Sequence, residues 1–115
     1  MYDHSFPPSC RIRKTAEYDR AFKAGKALYS AHFKLMAAPG ELEWSRLGLV
    51  VSRKVGGANR RNLVKRRLRE WFRLNRSLFK APMDLVVIAR PGSAGLSAEE
   101  VTLELETAIK RWRPD

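Results

Sequence analysis

Three observations predict a single α+β domain whose elements run in the order α-β-β-α-β-α. The apolar run through Leu47, Leu49, Val50 and Val51, and a second through Leu85, Val86, Val87 and Ile88, are each strand-length and bounded by turn or polar residues. Between them lies a long segment with helically spaced apolar residues, so strand, helix and strand make a βαβ unit in one sheet. Finally, 115 residues at 44% hydrophobic content support one modest core. The expected architecture is a central mixed sheet packed by helices, with residues 1–115 forming one domain.

Residues 1–10 have turn and extended composition, and Pro7 and Pro8 resist helix formation, so this stretch is expected to be a flexible or extended arm. Arg11, Arg13 and Lys14 form a small basic cluster on the approach to the first helix. Thr15 can cap a helix over 16–24, with Glu17 and Asp19 in the first turn where acids suit the dipole, and Gly25 ends it. Tyr18 and Phe22 stand i, i+4 on one face, a spacing that suits core packing. Residues 27–38 read as one strand, with Phe33 and Leu35 on one side and His32 and Lys34 on the other. Pro39 and Gly40 turn the chain, Glu41 and Glu43 sit in a loop, and Trp44 is placed to cover a sheet edge.

The strand over 46–52 is the clearest, and its apolar run suits burial on both faces. Gly56 and Gly57 break it, and Asn59 is a candidate N-cap for the long helix. After Pro82 comes the strand over 84–90, and 91–95 is a loop. Ser97, Ala98, Glu99 and Glu100 form a capping box. The last helix, 98–112, is expected to bury Val101, Leu105, Ala108, Ile109 and Trp112. Its acids, Glu99, Glu100, Glu104 and Glu106, precede Lys110 and Arg111, the order that favours the dipole.

The charge is concentrated. Residues 53–76 hold ten of the 23 Lys and Arg residues and one acid, Glu70, while the rest of the chain is nearly balanced around a net charge of +11. Wound from Asn59 onward at about 100° per residue, the chain puts Val64, Leu68, Trp71, Phe72, Leu78 and Phe79 on one arc, with Asn75 the polar exception. Lys65, Arg76, Arg69, Asn62, Arg73 and Arg66 fall opposite, beside a helix start where free N–H groups and the flanking Arg60 and Arg61 attract anions. Such a stripe on a folded scaffold points to a polyanionic partner, and nucleic acid suits it better than a membrane surface. A general RNA-binding or ribosomal protein would show the same helix. A DNA-binding protein fits less well, since no second helix is set up as a helix-turn-helix partner.

Other chemistries find little support. The single Cys10 excludes an internal disulfide and a Cys-rich zinc site, which fits a reducing cytoplasm. Residues 1–10 lack the basic start and apolar run of a signal peptide, and no stretch approaches the roughly 20 apolar residues of a membrane span. His4, His32 and Asp84 are scattered, without the neighbours that a nuclease centre or metal cluster needs.

Residues 46–72, RLGLVVSRKVGGANRRNLVKRRLREWF, closely resemble the central motif of the bacterial ribonuclease P protein family, and looser similarity covers most of 11–112. The family pattern reads Arg-Asn-Arg, where this chain has Arg61, Asn62 and Leu63, so the guanidinium is missing from the third position. The resemblance implies a left-handed βαβ crossover. It implies the protein subunit of a ribonucleoprotein endoribonuclease that removes the 5′ leader of precursor transfer RNA, with hydrolysis carried out by the RNA subunit and magnesium ions (Mg2+) held by RNA and substrate. One protein per ribonuclease P RNA is expected. Arg60, Arg61, Asn62, Lys65, Arg66, Arg69 and Arg73 would face the catalytic RNA. Tyr18, Phe22 and Phe33, edged by Arg53, Lys54 and Arg90, would line a cleft for the leader.

Overall fold

A computed structural model describes residues 8–76, 79 and 81–112. In chain order, the elements are α1 (Thr15–Ala24), β1 (Lys26–Tyr29), β2 (Phe33–Pro39), β3 (Arg46–Val50), α2 (Ala58–Asn75), β4 (Met83–Ala89) and α3 (Ala98–Trp112). The four strands form one mixed sheet in the order β1-β2-β4-β3. β2 is antiparallel to both β1 and β4, whereas β3 and β4 are parallel. The βαβ unit of β3, α2 and β4 is therefore present, within a single α+β domain.

The expected order carried one strand too few. The stretch over 27–38 is a hairpin, bent at 30–32, rather than one strand. The bend contains no glycine, proline, asparagine or aspartate. Ser30 supplies the turn chemistry: its N–H donates to Phe33 O at 2.9 Å, and its Oγ accepts from Phe33 N at 3.2 Å. Glu104 of α3 then fastens the bend, accepting from Ser30 Oγ at 2.7 Å and His32 N at 2.9 Å, with His32 Nδ1 at 2.6 Å.

Alternation along the strands divides the sheet into two faces. Phe33, Leu35, Leu47, Leu85 and Val87 turn to one side, where they pack with Val64, Leu68, Trp71 and Phe72 of α2 and Val101, Leu105, Ala108 and Ile109 of α3. Those four α3 residues are the expected ones; the side chain of Trp112 lies outside the described residues. On the other face, Met36, Ala38 and Val86 meet Ile12 and Ala21 in a much smaller cluster under α1. Val50 and Ile88 extend that face beyond the helix and remain half-buried.

The helix ends follow local chemistry. α1 starts one residue earlier than expected, because Glu17 reaches back to accept from the backbone N–H groups of Arg13 and Lys14 at 3.0 and 3.1 Å. The Ser97 and Glu100 capping box forms, at 3.1 and 2.8 Å. Asn59 is not the cap of α2; Gly57 is, and Asn59 lies in the first turn. The glycine that the turn requires is Gly56, at φ +148°. α2 stops at Asn75, and Phe79 returns from beyond it to pack on Phe72 with centroids 6.2 Å apart. Leu78 lies outside the described residues.

Of the expected arm, residues 1–7 lie outside the described residues. Pro8–Cys10 form a 3-10 turn in which Cys10 is buried and Trp44 Nε1 donates to Ser9 O at 2.8 Å. Arg11 then bridges Leu47 in parallel, and Ile12 N donates to Leu47 O at 2.9 Å, along the outer edge of β3.

Candidate nucleic-acid interface

α2 buries its apolar arc against the sheet, which forces the opposite arc outward. Asn62 and Arg66 are exposed there, with Lys65, Arg69 and Arg73 half-buried beside them. Arg73 is partly neutralised: both its Nε, at 3.1 Å, and its Nη2 donate to Glu70. Arg67 lies on the other flank and donates to Leu96 O. Among the described residues, Lys65, Arg66 and Arg69 have no acidic partner, so their field is uncompensated.

Two of the residues expected to face the catalytic RNA stand apart from the stripe. Arg61 is three residues before Val64 and seven before Leu68, on the inward arc of the first turn. It is half-buried, and its Nε is hidden from solvent without a hydrogen-bond partner. Arg60 is exposed but folds back over Gly56: a Cβ at that glycine would lie 2.8 Å from Arg60 Cδ. Leu63, where the family pattern has arginine, is half-buried on the same flank as Arg67.

The second surface is the half of the sheet face that α1 leaves open. Ala21 is the one buried residue of α1 and points down onto the sheet. Tyr18 then packs on one flank with Val50 and Ile88 against the small cluster, and Phe22 follows one turn further along the same side of the helix. The ring of Tyr18 lies so close over β3 that only glycine fits at 48, since a Cβ there would be 2.8 Å from Tyr18 Cε1. Its phenol oxygen accepts from Leu49 N at 3.2 Å. Phe22 is 41% exposed, enough to offer a ring face.

Phe33 does not line this cleft. It is fully buried in the core on the opposite face, among Leu35, Phe72 and Leu85. The alternation that paired it with Leu35 assigns it to that core. The aromatic residue on the cleft face is Tyr29, which follows Ala27 at the two-residue period and is 55% exposed. Lys34, its register partner, holds its ammonium 5.7 Å from the Tyr29 ring centroid.

Because β3 and β4 are parallel, the residues following both strands collect at one edge of the sheet. Arg53 and Lys54 sit there in a 3-10 turn, exposed, with Ser52 Oγ capping Lys54 N at 3.3 Å. Arg90 is exposed just past β4, and its N–H donates to His32 O at 2.9 Å. Tyr29 and Lys34 meet the same edge, because β1 is antiparallel to β2 and β2 to β4. The two surfaces also meet each other: Tyr18 and Leu49 share a cavity of about 130 Å3 with Lys65 and Arg69 of α2 and with Arg11.

The carboxylates of Glu17, Asp84 and Glu104 are committed to other partners. Asp84 is fully buried; its Oδ1 accepts from Arg46 Nε at 3.0 Å and its Oδ2 from Arg46 Nη2 at 2.8 Å and Arg20 Nη1 at 3.2 Å. Arg46 also donates to Glu17 Oε2 at 2.7 Å. The Arg13 and Lys14 N–H groups, with Arg46, hold the Glu17 carboxyl down to about 2, and the carboxylates around Arg46 raise its guanidinium above its ordinary value. Hydrogen bonds from His32 and Ser30 lower the Glu104 carboxyl despite partial burial. Among the described residues, no three His, Cys, Asp or Glu side chains cluster to hold a metal ion, and no helix is long and apolar enough to cross a membrane.

Residues 6–113 match the family model described as Ribonuclease P. The ribonuclease P protein component of Syntrophobacter fumaroxidans is 45% identical over 101 residues, covering 87% of this chain and 85% of the relative. The Staphylococcus aureus RNase P protein superposes with a TM-score of 0.80 at 32% identity, covering 89% of this chain and 94% of that one. The Thermotoga maritima RNase P protein gives 0.79 at 34% identity, with 90% and 97% covered. A basic helix carried by a βαβ unit, beside an aromatic-walled sheet face, thus occurs in a chain that belongs to the ribonuclease P protein family.

Proposed function

We propose that this chain, as the protein component of ribonuclease P, binds the catalytic RNA through α2 and the 5′ leader of precursor transfer RNA through the cleft beside α1. The observation that carries this reading is the junction of the two surfaces at Tyr18, which lines one cavity together with Lys65 and Arg69 of α2. Asn62, Lys65, Arg66 and Arg69 would lie against the RNA backbone, with Arg73 contributing less because Glu70 competes for it. Arg60 and Arg61 would act at the helix start, Arg61 from beneath the stripe. Phe22, Tyr18 and Tyr29 offer stacking faces to bases of any sequence, while Lys34, Arg53, Lys54 and Arg90 attract the phosphates at the cleft edge.

The protein's part is binding and alignment. Magnesium ions held by the RNA subunit and the substrate supply the hydrolytic chemistry, and one protein serves each RNA in the cytoplasm. The test is reconstitution: a bacterial ribonuclease P RNA with this protein should cleave precursor transfer RNA at a lower magnesium concentration than the RNA alone. Correct 5′ cleavage by the protein freed of RNA would refute the division of labour.

A further inference from the structure

The polar network at the sheet end has a geometry that simple stabilisation does not require. A buried ion pair contributes little net stability compared with apolar residues of the same volume, but its hydrogen bonds are directional. Here the direction is toward α1. That helix has little else to fix it, since Ala21 is its one buried side chain and the cluster beneath it is small. With Tyr18 packed on one flank alone, a helix whose one buried side chain is alanine has little apolar contact to resist a roll about its axis.

Two sets of contacts oppose such a roll, one on each flank. On one flank, Glu17 takes a hydrogen bond from Arg46 of β3 at 2.7 Å, and Arg20 donates to Asp84 of β4 at 3.2 Å and to Pro39 O of β2 at 2.6 Å. Arg20 Nε also stands 3.3 Å from Glu41 Oε2 in the following loop. Arg46 and Asp84 hold each other by two parallel bonds, so the anchor itself is rigid. On the other flank stand Tyr18, fastened to Leu49, and Phe22, which has no polar tie.

We propose that the buried Arg46–Asp84 pair, acting on α1 through Glu17 and Arg20, is the positioning element that sets the roll of the helix and hence the presentation of Tyr18 and Phe22 to single-stranded RNA. The proposal rests on the cleft reading given above. None of the four residues touches the RNA in it; they act through the aromatic flank.

The test replaces the pair by apolar residues of similar volume, Arg46→Met with Asp84→Leu, so that packing remains and direction is lost. In the reconstituted holoenzyme, affinity for precursor transfer RNA should fall about tenfold, on the scale of one lost base stack. Affinity for mature transfer RNA and for the catalytic RNA should stay at the wild-type level, and amide exchange at Ala21 and Phe22 should quicken. A folded double variant with wild-type leader preference overturns the proposal. If the double variant does not fold, Arg20→Met serves instead, since its side chain is 30% exposed and its loss leaves the Arg46–Asp84 pair intact. It should lose about threefold in leader preference, a fraction of one stack, and an unchanged preference again overturns the proposal. Phe22→Leu, measured in parallel, separates the two ideas. Loss there with none in the network variants refutes the positioning role alone. No loss at Phe22 refutes the cleft and the positioning role together.

Discussion

Replacing Phe22 by leucine removes an aromatic face while keeping most of the bulk that covers the sheet. Phe22 is 41% exposed and lies outside both buried clusters, so the change should cost the fold less than about 1 kcal/mol. Stacking one base on an aromatic ring is worth about 1 to 3 kcal/mol, which corresponds to roughly 5- to 150-fold in dissociation constant. Four constants decide the matter, for wild-type and variant holoenzyme with leader-bearing precursor and with mature transfer RNA, alongside a thermal melt. The loss should appear with the precursor alone. Phe33→Leu supplies the contrast, because its ring is fully buried: stability should drop by about 1 to 2 kcal/mol with leader preference unchanged. Equal losses on both RNAs for Phe22→Leu, or no loss on either, would refute the reasoning and favour a general RNA-binding protein.

Other outcomes follow from the same geometry. Lys65→Ala and Arg69→Ala should each lower the salt slope of catalytic-RNA binding by about 0.7 to 0.9, and Arg73→Ala by less, because Glu70 already shares its charge. Arg111→Ala, exposed on α3, should leave the slope unchanged, and equal effects at all four positions would mean diffuse attraction without a site. Leu63→Arg restores the family guanidinium on a half-buried flank where its stem can lie along α2, so melting should shift little and RNA binding should tighten; weaker binding at unchanged stability would count against it. Acid melts probe Glu17, whose folded carboxyl titrates near 2 against an ordinary 4.5. A depressed carboxyl stabilises the fold above its unfolded value and loses that contribution as pH falls toward 2. Glu17→Gln should therefore be less stable than wild type at neutral pH and show a shallower decline between about pH 4.5 and 2; parallel curves would show that the carboxylate contributes nothing.

Elements with strong local signals were legible. The amphipathic pattern of α2, the Ser97 capping box and the apolar runs of β3 and β4 each needed only neighbours in sequence. The hairpin was not, because its turn depends on Ser30 Oγ and on Glu104, which lies 74 residues further along. Family resemblance places Phe33 in the cleft although its own alternation with Leu35 puts it in the core; giving the period priority brings forward Lys34, but Tyr29 shares the phase of Phe33 along a single strand and reaches the cleft face only because the turn at 30–32 resets the alternation. Arg61 shows the reverse limit, since its charge suggested exposure while its phase on the helix turned it inward. The network around Asp84 could not be read at all: its arginines lie 38 and 64 residues away, and nothing beside Asp84 in sequence reveals them.

β3 stands at the end of the sheet, and its outer edge is engaged within the chain at Leu47 and Leu49. Arg11 and Ile12 pair along Leu47, and the Tyr18 hydroxyl takes the N–H of Leu49. An edge strand with free amides and carbonyls is a template for the strand of another molecule. Here the template is occupied by the protein's own residues before any neighbour can reach it. Removing the chain through Ile12 would therefore uncover an adhesive edge, and the damage would appear first as self-association and precipitation in the absence of RNA.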